Sequence, residues 1–183
     1  FSWEAPVTGT YVFSLDPDPD FDAQLAIFTG EDVGALTLLD ESDTPGEGEV
    51  EEAGGVLQEG TTYRVRVTGF DDSAGPFSLE WRNLSPSNDD FGNPRVITEG
   101  GDSGSIRSSN EFATMQEGEP TTTGNFPAGQ SVWFSWEAPA SVNFAFRLTA
   151  DWDAQLAIFT GEADGPLTSL GESDPRDGES DAV

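Results

Sequence analysis

The chain lacks cysteine, histidine and lysine, and each absence excludes a kind of chemistry. Without cysteine there is no disulfide, zinc finger, iron–sulfur cluster or thiol nucleophile. Without histidine or lysine, a serine nucleophile has no common base to activate it. No apolar run approaches the roughly 20 residues that a membrane-spanning helix needs. We therefore predict a non-catalytic protein with no membrane span in this stretch of sequence.

Positive charge is also scarce, with 7 basic residues, all arginine, against 35 acidic ones, and the net charge is −28. Such a surface repels nucleic acid and attracts cations, so no nucleic-acid partner is expected. Abundant acid without lysine suits a halophilic protein or one in a calcium-bearing medium. Genomic base composition also lowers lysine content, so the sequence leaves these explanations open.

Two blocks of sequence occur twice, about 130 residues apart. The decapeptide Asp22–Glu31 returns unchanged as Asp153–Glu162, and Phe1–Pro6 returns as Phe134–Pro139. A solenoid turn is roughly 20 to 50 residues long, so this longer period indicates a repeated domain.

The repeat predicts where the domains lie. Residues 1–50 correspond to 134–183. We predict a first domain at 1–86 that lacks its N-terminal strands, and a second at 87–183 that lacks its C-terminal strands. The sequence is then interpreted as part of a longer array of modules.

Alternation of apolar and polar residues predicts short β-strands throughout. In Tyr11–Leu15 the odd-numbered side chains face the core. The strand at 61–70 is predicted to form a hairpin with 77–81 through the turn residues 71–76. In the decapeptide at 22–31, Leu25 and Ile27 form one apolar face, and Ala26 and Phe28 make the second face nearly apolar, which predicts a central strand.

The remaining segments carry weaker patterns. Arg95–Ile97 and Gly104–Arg107 are predicted to be short strands, and the acidic segment Asp40–Glu52 is expected to be a mobile connection. Glycine, proline and aspartate interrupt every candidate helix. About eight short strands per unit predict an all-β fold of tandem antiparallel β-sandwich modules, jelly-roll-like, of about 130 residues each.

Several segments, taken in order, resemble the pre-peptidase C-terminal domain family of secreted bacterial proteins. In the order of one complete module they are Asn88–Phe91, Gly104–Ile106, Glu117–Pro120, Ser131–Pro139 and Asp153–Gly161. The end of the module is represented by Gly60–Tyr63 and Gly75–Leu79 of the first copy. The resemblance implies a jelly-roll β-sandwich that is a non-catalytic appendage or tandem array in exported proteases, collagenases and surface proteins. Some members of that family bind calcium near the start of the module, and others bind collagen or polysaccharide. By resemblance, calcium ligands would come from Asn88, Asp89, Asp90, Glu117 and Glu119.

Four aspartates alternate with other residues just before the first decapeptide, at Asp16, Asp18, Asp20 and Asp22. In an extended chain their carboxylates would project to one side and could bind calcium. The second copy retains only Asp151 and Asp153. The alternatives are a solvated turn stiffened by proline, and aspartates that accept hydrogen bonds from loop amides.

These features predict a structural or adhesive module of an extracellular surface protein or filament, stiffened by calcium if the acidic sites are occupied. Its partners would be neighbouring copies of the repeat, and extracellular polysaccharide or protein. The alternative is a ligand-binding accessory domain that delivers a secreted hydrolase to collagen or polysaccharide.

Overall fold

The computed structural model describes residues 1–98, 101, 103–120, 122–123, 126–127, 129–161, 165–173 and 181–182. These residues form β-strands, with one 3-10 turn at Val33–Ala35 and no α-helix among them. No helix in this part of the chain is long and apolar enough to cross a bilayer.

The chain divides into two compact units. Unit 1 comprises Phe1–Ser85 and Phe112–Thr114, and unit 2 comprises Pro86–Glu111 and Met115–Val183. The sequence prediction placed the domain boundary one residue later and assigned residues 112–114 to the second domain.

Unit 1 contains seven strands in two antiparallel sheets. The strands are β1 Ser2–Glu4, β2 Gly9–Pro17, β3 Ala23–Thr29, β4 Thr37–Ser42, β5 Glu51–Leu57, β6 Thr62–Gly69 and β7 Phe77–Asn83. One sheet has the order β1-β6-β3-β4 and the other β5-β2-β7. Strand β3 pairs with β4 and β6, so the predicted central position of the decapeptide is confirmed.

The inward faces of the two sheets share one core. Strand β2 contributes Phe13 and Leu15, which are 1% and 0% exposed. Leu25, Ile27 and Val65 from the opposite sheet are also buried. Burial of apolar side chains between two antiparallel sheets is what defines a β-sandwich, so the predicted all-β class is confirmed.

The predicted hairpin between β6 and β7 is wrong, because the two strands lie in different sheets. Strand β6 pairs with β1 and β3, whereas β7 pairs with β2. The connection 71–76 crosses between the sheets and is anchored on both sides. Ser73 Oγ accepts from the backbone N of Asp22 at 3.0 Å, and Pro76 O accepts from Asp18 N at 3.0 Å.

The acidic connection before β5 is shorter than expected. Strand β4 extends to Ser42 and β5 begins at Glu51, which is 0% exposed. The Glu51 carboxylate accepts from the Ser42 hydroxyl and from the backbone N of Thr44 at 2.9 Å. These bonds satisfy the buried carboxylate and tie the two ends of the connection together.

Unit 2 contains shorter strands arranged in pairs. They are β8 Arg95–Ile97, β9 Thr122–Thr123, β10 Phe126–Pro127, β11 Phe134–Trp136, β12 Arg147–Leu148, β13 Leu156–Thr160, β14 Thr168–Ser173 and β15 Asp181–Ala182. Strands β8 and β11 pair in parallel, and the other pairs are antiparallel. Gly104–Arg107 forms no strand, so that prediction is wrong.

Both units contain the same β-hairpin. In unit 1, β3 pairs with β4 and the register shifts between Ile27 and Phe28. In unit 2, β13 pairs with β14 and the register shifts at the corresponding place, between Ile158 and Phe159. The repeated decapeptide therefore specifies a hairpin together with its irregularity.

Both units also contain the same aromatic cluster. The ring of Trp3 meets Phe13 edge-on, with centroids 5.3 Å apart, and Trp136 meets Phe146 in the same way at 5.1 Å. Edge-to-face contact is a favoured geometry for aromatic pairs. The repeated block that contains these tryptophans therefore builds the same packing element twice.

Candidate functional site

The aspartates of the first acidic segment do not lie along one extended strand. Strand β2 ends at Pro17, and the backbone N of Phe21 donates to Asp18 O at 2.9 Å, which closes a turn. Asp16, Asp18 and Asp20 are all exposed. The extended geometry on which the four-carboxylate site was predicted is therefore wrong, and these three side chains lie in solvent.

Asp22 differs from the other three aspartates. Its Oδ1 atom is buried and accepts no hydrogen bond. Its backbone carbonyl accepts from Phe70 N at 2.9 Å. In unit 2 the corresponding Asp153, and Asp151 before it, are exposed. The two copies of the decapeptide thus begin with carboxylates in different environments.

Asn88 and Asp89, at the start of unit 2, are 5% and 4% exposed. The Asn88 side-chain amide donates to Trp133 O at 2.9 Å, and Trp133 N donates to Asn88 O at 2.8 Å. Asp90 is half-buried. Asn88 therefore bonds to the backbone of Trp133 through its side-chain amide and through its own backbone carbonyl.

The carboxylate of Glu119 contacts the side chain of Trp133. Its Oε1 accepts from the indole Nε1 of Trp133 at 3.1 Å, and its Oε2 accepts from the Ser131 hydroxyl. Phe91 meets the Trp133 ring edge-on, with centroids 4.8 Å apart. Glu117, by contrast, is exposed.

Two of the predicted ligands, Asn88 and Glu119, thus converge on Trp133, while Glu117 does not. Within the described residues, no group of three or more acidic side chains is placed to hold a metal ion. Calcium binding at the predicted positions stays a prediction. The sequence pattern gave no indication that these polar groups contact a tryptophan.

Strand β1 pairs with β6, and alternate residues of β1 supply the hydrogen bonds. Phe1 N donates to Val65 O at 2.8 Å, Val65 N donates to Phe1 O, and Ala5 N donates to Thr61 O, both at 3.1 Å. Backbone groups alternate in direction along a strand. The N–H and C=O groups of Ser2 therefore point away from β6, toward the side on which the sheet order ends.

Exposed aromatic side chains accompany this edge. Phe1 is 70% exposed and meets Phe77 edge-on, with centroids 6.2 Å apart. Phe77 lies on β7, which is the last strand of the other sheet. Trp81, further along β7 and on the same face, is 54% exposed.

In unit 2 the corresponding edge carries a strand. Strand β11 has the same residues as the start of the chain, Phe-Ser-Trp, and it pairs in parallel with β8. Arg95 N donates to Trp133 O at 3.0 Å, and Ser135 lies opposite Val96. The repeated sequence thus forms β1, which pairs with β6 in unit 1, and β11, which pairs with β8 in unit 2. The repeated hexapeptide was the signal that could have revealed this relationship.

Comparison of the chain with models of protein families, with curated proteins and with solved structures finds no match. The resemblance to the pre-peptidase C-terminal domain family therefore stays a prediction, based on the ordered segments alone.

Proposed function

We propose that this chain is a non-catalytic structural or adhesive module of an extracellular surface protein or filament, and that it contacts neighbouring copies of the same repeat. The observation that carries the proposal is the duplicated packing of the two units. The hairpins share their register irregularity, and the aromatic clusters share their geometry.

Duplicated packing supports a mechanical role because the same surfaces recur along the chain. A contact that one copy makes can then be made by every copy, as in repeat proteins whose units interact mainly with their neighbours. An enzyme needs only one active site, so it gains nothing from repeating the same aromatic and hairpin elements.

The net negative charge of the chain indicates that the protein works in an environment rich in cations. Copies with a net charge of −28 repel one another over about 30 Å at 0.01 M salt and over about 3 Å at 1 M salt. Close contact between copies therefore requires high salt or bound cations. Such conditions exist outside cells in saline or calcium-bearing media, which is where we place the protein.

Immunogold labelling of intact source cells tests the proposal. Antibodies raised against the 183-residue chain should decorate the cell surface or surface filaments before permeabilisation. An antibody against a cytoplasmic protein is the control for cell integrity. Labelling that appears only after permeabilisation would contradict the proposal. If the antibodies recognise only a secreted hydrolase in the medium, the accessory-domain alternative is favoured.

A further inference from the structure

We infer that Asn83 is an N-glycosylation site, whose side-chain nitrogen receives an oligosaccharide when the chain is exported. This inference rests on the proposed function, because the modification takes place on chains that leave the cytoplasm. It adds a covalent modification and the chemical class of its donor.

The sequence around Asn83 matches the acceptor pattern of N-glycosylation. The pattern is an asparagine, any residue except proline, and then serine or threonine. Asn83 is followed by Leu84 and Ser85. No other asparagine of the chain has serine or threonine two positions later. The sequence therefore offers a single site.

The structure leaves the reactive nitrogen of Asn83 accessible. Asn83 is exposed and is the last residue of β7. Its Oδ1 accepts a hydrogen bond from the backbone N of Ser85 at 2.9 Å, which closes a short turn. No described residue accepts a hydrogen bond from Asn83 Nδ2. Gly9 keeps space beside this nitrogen, because an added Cβ would lie 2.9 Å from it.

Other asparagines of the chain use the same nitrogen within the fold. Three of them donate from Nδ2 to backbone carbonyl groups, each at 2.9 Å, and they are Asn88, Asn93 and Asn110. A sugar on any of these three would compete with a hydrogen bond that the structure contains. A sugar on Asn83 displaces no such bond, so the asparagine that matches the pattern is also one that the folded chain can carry in modified form.

The reaction is a glycosyl transfer. The donor is an oligosaccharide joined to a polyprenyl diphosphate, and a transferase of the exporting cell supplies the catalysis. Asn83 Nδ2 forms a bond to C1 of the first sugar and loses one proton. The bond between C1 and the diphosphate oxygen breaks, and polyprenyl diphosphate leaves. Nothing is oxidised or reduced in this step.

The hydrogen bonds of Ser85 indicate when the transfer takes place. In the folded chain the Ser85 hydroxyl accepts from Thr10 N at 2.9 Å and donates to Phe112 O at 3.1 Å. The hydroxyl is part of the acceptor pattern and is engaged after folding, so the transfer precedes folding. Pro86 restricts Ser85 to extended conformations, and we therefore expect that part of the molecules stay unmodified.

The first experiment measures the mass of the peptide that contains Asn83, in protein isolated from the source cells. Cleavage after arginine releases residues 83–95, or residues 67–95 if the sugar blocks the nearer cleavage. We expect a form that is heavier by whole sugar units beside an unmodified form, and fragmentation should place the sugar on Asn83. A peptide found only at its unmodified mass would overturn the inference.

The second experiment repeats this measurement on full-length variants produced in the source cells. Asn83→Asp keeps the oxygen that accepts from Ser85 N but lacks Nδ2, so the heavier form should disappear while circular dichroism stays the same. Ser85→Ala should also remove the heavier form, and Ser85→Thr should retain it. Asn143→Asp is the matched control, because Asn143 is exposed but lies outside the pattern. A heavier form that persists in Asn83→Asp or in Ser85→Ala would contradict the assignment.

The outcome is separate from that of the surface-labelling experiment. Protein that is labelled at the surface but carries only unmodified Asn83 would leave the proposed function standing and would remove only the glycan. Protein that is labelled only after permeabilisation, with Asn83 unmodified, would remove both.

Discussion

Glu119 accepts a hydrogen bond from the indole N–H of Trp133 at 3.1 Å, across fourteen residues of sequence. The same carboxylate accepts from the Ser131 hydroxyl. Trp133 comes directly before the repeated strand β11, and its carbonyl accepts from Arg95 of β8. Glu119 thus holds the side chain of Trp133, and the backbone carbonyl of Trp133 makes a hydrogen bond to the first residue of β8.

Substitution Glu119→Leu should destabilise the chain. It leaves the indole N–H of Trp133 without its acceptor, which costs about 1–3 kcal/mol when such a group is buried. Urea titration followed by tryptophan fluorescence measures the loss. Glu117→Leu is the control and should stay within about 0.5 kcal/mol, because Glu117 is exposed. Equal stability of the two variants would show that Glu119 does not hold Trp133.

The aromatic cluster of unit 1 should contribute more to the free energy of unfolding than the aromatic cluster of unit 2. Phe13 is 1% exposed, so Phe13→Ala should cost about 3–5 kcal/mol of unfolding free energy. Phe146 occupies the same place in unit 2 but is half-buried, so Phe146→Ala should cost about half as much or less. Chemical unfolding of the two full-length variants makes the comparison. A larger loss for Phe146→Ala would mean that unit 2 has the tighter core.

Strand faces could be predicted from the sequence where alternation is unbroken. Tyr11, Phe13 and Leu15 are all buried, as are Tyr63 and Val65. Alternation identifies the face of a strand that meets the core because successive side chains point to opposite sides. It does not identify the neighbouring strand, and the predicted pairing of β6 with β7 failed for that reason.

Polar contacts of the site could not be predicted in the same way. The bond between Glu119 and Trp133 joins residues in a stretch without periodicity, and the burial of Glu51 depends on Ser42 and Thr44. Acidic residues are so frequent in this chain that their type alone carries little information. Only the packing of the strands decides which carboxylates find donors.

A side chain at Gly54 should destabilise the chain. It lies on β5, and a Cβ atom there would be 2.1 Å from Tyr11 O and 3.0 Å from the Cα atom of Val12, both on the neighbouring β2. Gly54→Ala must move the β2 or β5 backbone, at about 1–3 kcal/mol. Gly34→Ala is the control, since nothing lies within 4 Å of its added Cβ. Thermal unfolding should show a lower Tm for Gly54→Ala and an unchanged Tm for Gly34→Ala. If Gly54→Ala also left Tm unchanged, β2 and β5 would be able to move apart without loss of stability.

Salt and calcium should act differently on stability. Sodium chloride screens the repulsion within a chain of net charge −28, so it should raise Tm with increasing concentration. The calcium hypothesis predicts a further rise in millimolar calcium at equal ionic strength, because a ligand that binds only the folded state stabilises it. A chelator should reverse this second effect and leave the first unchanged.

Asp22 gives the calcium hypothesis its sharpest test. Its buried Oδ1 accepts no hydrogen bond, and a buried carboxylate oxygen without a partner costs free energy that a bound cation would offset. Asp22→Asn should therefore abolish the calcium-specific rise in Tm, whereas Asp20→Asn, at an exposed position, should preserve it. If both variants and the unmutated chain respond alike to calcium and to sodium chloride, screening alone explains the effect of cations. Asp16, Asp18 and Asp20 would then be solvated side chains that bind no calcium.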